Sequence, residues 1–122
     1  MTVQDHIANY AAGWTTGDID QIVGAAAPNF VLDDPNAGKI GHDGLSDYVT
    51  GLKEAVAQLR NGAEYDKLMD MTDVVVRDTE LPVTVWAWFT VPGTPLAGSA
   101  IMKFSDDGVV GERLAYYTAL PK

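Results

Sequence analysis

Residues 83–91 constrain this chain most. Val83, Val85, Ala87, Phe89 and Val91 fall on one side of an extended backbone, and Thr84, Trp86, Trp88 and Thr90 fall on the other. That alternation has the period of a strand and is incompatible with a helix. Strand patterns continue on both sides of it. Residues 65–77 are rich in β-branched side chains, with Asp78-Thr79-Glu80 as a turn, and Pro92-Gly93-Thr94-Pro95 is a loop. Residues 96–104 form the next predicted strand, Asp106-Asp107-Gly108 is a hairpin signal, and residues 109–120 supply a last strand.

Upstream, the period is that of a helix. Ile7, Tyr10, Ala11 and Trp14 share one helical face within a helix predicted over residues 3–16. Thr2 can cap its start and Gly17 stands where a C-terminal glycine is expected. Asp18, with Gln21 three residues on, opens a second helix at Ile19 that buries Ile19, Ile22, Val23 and Ala26 and ends at Pro28. Asp43 can cap a third over residues 44–60, whose buried face is Leu45, Tyr48, Val49, Leu52, Val56 and Leu59, with Gly62 as its stop. Helices first and strands afterwards predict one α+β domain over residues 1–122, with three N-terminal helices packed on a curved antiparallel sheet. Such packing encloses an apolar pocket.

Between the second and third helices lies the stretch with the most chemistry. Phe30-Val31-Leu32 runs as a strand into Asp33-Asp34-Pro35, and residues 37–41 form a turn or a short return strand. Burial raises a carboxylate's pKa and makes it a useful proton carrier, so an acid against apolar residues is a candidate base. The same letters also make a good Asx-Pro turn. Asp33, alternating with Asp34, is expected to face solvent.

Composition removes several function classes. Seventeen acidic residues against eight Lys and Arg give a net charge of −9, without a basic stripe, so nucleic acid and anionic membranes are not expected as partners. There is no cysteine, which excludes disulfides, thiolate metal sites and cysteine nucleophiles, and fits a cytoplasmic protein. Residues 1–4 do not read as a signal peptide, and no apolar run reaches the length needed to span a bilayer. His6 and His42 belong to no His-x-x-x-His or Glu-x-x-His pair, and no Gly-x-Ser-x-Gly occurs, so neither a metal site nor a serine triad is expected. His6 reads as a solvated helix residue and His42 as part of a turn.

Three segments carry a family resemblance: Tyr10-Ala11-Ala12-Gly13-Trp14-Thr15-Thr16-Gly17-Asp18, Leu32-Asp33-Asp34-Pro35, and Lys103-Phe104-Ser105-Asp106-Asp107-Gly108-Val109-Val110. In this order the chain resembles the cone-shaped α+β superfamily of nuclear transport factor two, the ketosteroid isomerases and the SnoaL-like polyketide cyclases, a cystatin-like fold. The resemblance to ketosteroid isomerases implies that Asp34 is a general base moving a proton beside a carbonyl, and that Tyr10 donates to the enolate oxygen. No cofactor is implied. The strand position that carries a protonated Asp in those enzymes holds Ala100 here, and a methyl group cannot donate a hydrogen bond. Thr118 stands about where the cyclases often place a C-terminal acid.

The substrate is then a small apolar ring compound in a cavity shaped by Trp14, Phe30, Leu32, Tyr48, Val85, Phe89, Ala100 and Met102. Tyr10 and Trp14 can equally be core residues. With Val85, Ala87 and Phe89 facing the pocket, Trp86 and Trp88 point outward and predict a homodimer through that sheet face. The reverse assignment would put both tryptophans in the core. The competing functions are a non-catalytic ligand-binding or assembly module on the same fold, and a SnoaL-like cyclase, lyase or hydrolase.

Overall fold

The computed structural model describes residues 2–77 and 80–116. Helix α1 (Val3–Thr16) starts at a capping box, in which the Thr2 hydroxyl accepts from the Asp5 N–H and the Asp5 carboxylate accepts from the Thr2 N–H. It ends at Gly17 in the left-handed conformation, φ 78°. Asp18 caps α2 (Ile19–Ala25) by accepting from the Gln21 N–H. The two helices cross closely at Gly13, where an added Cβ would stand 2.8 Å from Ile22 Cγ1.

Helix α2 stops at Ala25, three residues before the expected Pro28. Strand pairing takes over there, since β1 (Ala26–Asp34) already bridges Ala26 to Val109. Pro28 lies in the register shift between Ala26 and Val31, where its missing N–H costs no ladder bond. β2 (Gly38–Gly41) returns antiparallel to β1, and a 3-10 turn (His42–Gly44) leads into α3 (Leu45–Arg60). Asp43 therefore lies inside that turn, and no side chain caps α3. The helix ends on Asn61 in the left-handed region, one residue before Gly62, and Leu59 is exposed. Residues 61–69 are irregular, so the strand expected from residue 65 begins only at Asp70.

Four further strands, β3 (Asp70–Arg77), β4 (Val83–Thr90), β5 (Ala97–Ser105) and β6 (Gly108–Tyr116), complete a curved, unclosed six-stranded sheet in the order β2-β1-β6-β5-β4-β3. One pairing differs from the antiparallel expectation. β1 runs parallel to β6, because the chain leaves β1 through β2 and α3 and re-enters the sheet at its far edge. Register shifts in the β1–β6, β3–β4 and β5–β6 pairs supply the bulges that help bend a sheet. Gly108, φ 122°, passes against the Ala25 carbonyl, where any side chain would collide.

The helices cover the concave face. Tyr10, Phe30, Leu32, Val49, Phe104 and Val109 are each at most 1% exposed, at the centre of one core. β4 alternates as its sequence demands, with Val83, Val85, Ala87 and Phe89 inside and Trp86 and Trp88 outside. The two tryptophans stack with ring centroids 5.7 Å apart. His6 departs from expectation: it is buried, and its Nε2 is 2.8 Å from the Asp106 carbonyl, pinning α1 to the β5–β6 turn. Among the described residues no helix is long and apolar enough to cross a membrane.

Candidate active site

An apolar pocket opens between the helices and the sheet. Its wall includes Trp14 of α1, Tyr48 and Leu52 of α3, Phe89 of β4, Ala100 and Met102 of β5, and Glu112, Leu114 and Tyr116 of β6. It holds about 520 Å³ of space free of protein atoms, part of it open to solvent. The space is narrow. Five of the eight side chains expected to shape the cavity are on this wall: Trp14, Tyr48, Phe89, Ala100 and Met102. Phe30 and Leu32 are buried in the core instead, and Val85 lines a second, smaller cavity.

Two carboxylates meet phenols around this pocket. Asp34, 4% exposed at the end of β1, accepts from the Asn36 N–H at 2.7 Å through Oδ1. Its Oδ2 accepts from the Tyr48 hydroxyl at 2.5 Å and from the Tyr116 hydroxyl at 3.4 Å. Asp34 does not itself line the pocket; its two phenols do. Tyr10, at the centre of the core, donates to Oε1 of Glu112. Asp34 and Tyr10, the expected base and donor, thus have different partners. Aromatic edges connect them: Tyr10 to Trp14 at 6.3 Å between centroids, and Trp14 to Tyr48 at 6.5 Å.

Glu112 is the residue the sequence reading missed. It is 6% exposed, and burial pushes its carboxyl up to about 7, against which the Tyr10 hydrogen bond pulls weakly. Its second oxygen makes no hydrogen bond among the described residues. Burial, then the Glu112 charge and the hydrogen bond to it, hold the Tyr10 phenol well above its ordinary range. Tyr48 is raised by burial and by donating to Asp34, and burial together with the Asp34 charge lifts Tyr116 to about 12. All three phenols therefore stay protonated donors across the physiological range.

Trp14 supplies one more donor. Its indole N–H is buried with no hydrogen-bond partner among the described residues. It lies close enough to Tyr10 to offset slightly the rise of that phenol, without the alignment of a hydrogen bond. Unpaired buried donors are uncommon and mark places where a ligand or water belongs.

A signal for Glu112 was present in the letters. On a strand, Glu112, Leu114 and Tyr116 share one face, so an apolar or aromatic residue at every second position marks Glu112 as inward. Thr118, where the cyclase acid was expected, lies outside the described residues. Also among the described residues, no cluster of His, Cys, Asp or Glu could hold a metal ion.

No protein-family model and no curated protein matches this chain. Solved structures do. An NTF2-like protein of unknown function from Cytophaga hutchinsonii superposes with a TM-score of 0.66 at 10% identity, over 96% of this chain and 91% of that one. A SnoaL-like protein of unknown function from Burkholderia thailandensis gives 0.66 at 16% identity, over 94% and 93%. A candidate polyketide cyclase from Xanthomonas campestris gives 0.63 at 15% identity, over 94% and 90%. Others are described as cystatin-like folds. The chain therefore has the α+β cone fold shared by NTF2-like, SnoaL-like and cystatin-like proteins.

Proposed function

We propose that this protein is a cofactor-free acid–base enzyme acting on a small apolar carbonyl compound, by isomerisation of ketosteroid isomerase type or by a SnoaL-like cyclisation. The observation that carries this reading is a buried carboxyl poised near neutrality on the wall of an apolar pocket, Glu112, beside hydrogen-bond donors that remain protonated. A general acid–base group works best when its pKa lies near the operating pH. Ionised Glu112 takes the proton α to the carbonyl and, now protonated, returns it elsewhere on the substrate. The Trp14 N–H donates to the developing oxyanion and replaces the donor that Ala100 lacks, and the Tyr116 hydroxyl joins it only by leaving its long 3.4 Å contact with Asp34. Asp34 acts through Tyr48 and Tyr116 as a positioning residue, and Tyr10 holds the Glu112 carboxylate in place.

The test is double-bond migration in β,γ-unsaturated ketones, followed by absorbance. Glu112→Gln is expected to lower turnover by about 10²- to 10⁴-fold, the usual worth of a general acid–base group. Asp34→Asn is expected to cost less. Full turnover by Glu112→Gln overturns the assignment. A ligand-binding module without chemistry is the second reading, favoured by the narrow pocket and by both carboxylates already having phenol partners. Ligand binding by the wild type with no turnover of any unsaturated ketone supports it. The outward Trp86–Trp88 stack, with Ile101 exposed beside it, supports a homodimer through this sheet face. Sedimentation of Trp86→Lys as a monomer beside a dimeric wild type would bear that out.

A further inference from the structure

The pocket has a neighbour. A second, rear cavity, with about 280 Å³ of space free of protein atoms, part of it open to solvent, adjoins it and is lined by Ile7, Tyr10, Val74, Val85 and Phe104. Met71, Ala87 and Met102 belong to both walls. The two spaces therefore meet at these three side chains, and the Tyr10–Glu112 hydrogen bond ties a residue of the rear wall to one of the front wall. Methionine is unbranched and turns about three bonds, so it is the apolar side chain that yields most readily to a ligand. Every other side chain lining the rear cavity is apolar except Tyr10, whose hydroxyl is already committed to Glu112. The rear space is as narrow as the front one. Its roof includes Val74 of β3, an edge strand that bulges between Thr72 and Val75.

We infer that the rear cavity is a subsite for an unbranched apolar tail, and that the natural ligand is an elongated molecule with its one polar group at Glu112 and its chain running between Met71 and Met102. For the position of the polar group this rests on the function proposed above; the tail subsite does not depend on catalysis. A slim chain fits two narrow spaces in line, whereas a broad fused-ring skeleton would have to displace both methionines and the wall beyond. Ala87 sets the tail length, because its methyl group is the smallest side chain at the junction.

Calorimetric titration with methyl n-alkyl ketones of increasing chain length tests this. Affinity is expected to rise about fourfold per added methylene, the usual gain for a buried CH₂, and to keep rising beyond the length that fills the front pocket. Ala87→Leu is expected to stop the rise at the chain length that fills the front pocket. Met71→Phe is the second blocking variant, should Ala87→Leu fail to fold by circular dichroism. Glu112→Gln separates the two proposals, since it is expected to lose turnover and keep the chain-length series. A wild-type series that levels off at the front pocket overturns the inference. So does a blocked variant with an unchanged series, or failure of every ketone to bind.

Discussion

The Asp34 and Glu112 sites use the same two functional groups, a carboxyl and a phenol, and use them differently. Three donors converge on Asp34: a backbone N–H and two hydroxyls. They replace water around the charge, and the group serves as an anchor joining β1, α3 and β6. Glu112 has one donor among the described residues, so burial dominates and pushes its carboxyl up to about 7. Donors facing a buried acid offset the cost of taking its charge out of water. That contrast can be broken by experiment.

The largest effect is expected at the anchor. Asp34→Ala leaves Tyr48 and the Asn36 N–H without their acceptor, and urea unfolding should show a loss of about 3 kcal/mol. A loss under about 1 kcal/mol would mean that the phenols re-pair with water and the anchor is unimportant. Next comes the pH dependence of stability. The folded Glu112 pKa, about 7, lies above the ordinary 4.5, so the folded state binds the extra proton between those values. Stability from this group is complete below about pH 4.5 and is lost as pH rises through 7. Glu112→Gln keeps an acceptor for Tyr10, removes that slope, and should be more stable than wild type above pH 8 by up to about 3 kcal/mol. An unchanged slope would show that Glu112 titrates as an ordinary exposed acid. The smallest effect separates the two phenols of the anchor. Tyr48→Phe should cost about 1 kcal/mol, and Tyr116→Phe, with its long contact, less than about 0.5 kcal/mol. Equal losses would mean that Asp34 holds both hydroxyls alike.

Much of the architecture could be read from periodicity alone. The alternation of residues 83–90 reappears residue for residue in β4, with Val91 buried just beyond it, and Thr2, Gly17 and Asp18 cap the helices as predicted. The misreadings came where tertiary contacts override local preference. Pro28 looks like a helix stop but lies in a strand bulge, Asp43 looks like a cap but lies inside a 3-10 turn, and His6 is buried because the β5–β6 turn offers it a carbonyl. Of the residues expected at the site, Trp14, Tyr48, Phe89, Ala100 and Met102 stand on the pocket wall, whereas Asp34 stands behind two of its phenols and Tyr10 lies in the core. Glu112 was not singled out because an acid between Gly111 and Arg113 looks like ordinary strand surface until the face it shares with Leu114 and Tyr116 is followed. Its pairing with Tyr10 joins the first helix to the last strand, and no local pattern reveals such a contact.

The side-by-side pairing of β1 with β6 has a consequence for how the molecule is made. Val31 can find Gly111 only after nearly all the intervening chain has been synthesised, and closing so long a loop is entropically slow. A nascent chain emerging from the ribosome can form the α1–α2 hairpin early. Until β6 emerges, β1 has only β2 beside it, and Glu112 and Tyr116 emerge with β6. Glu112 and the second neighbour of β1 thus arrive in one segment, so a polypeptide interrupted before it would lack both.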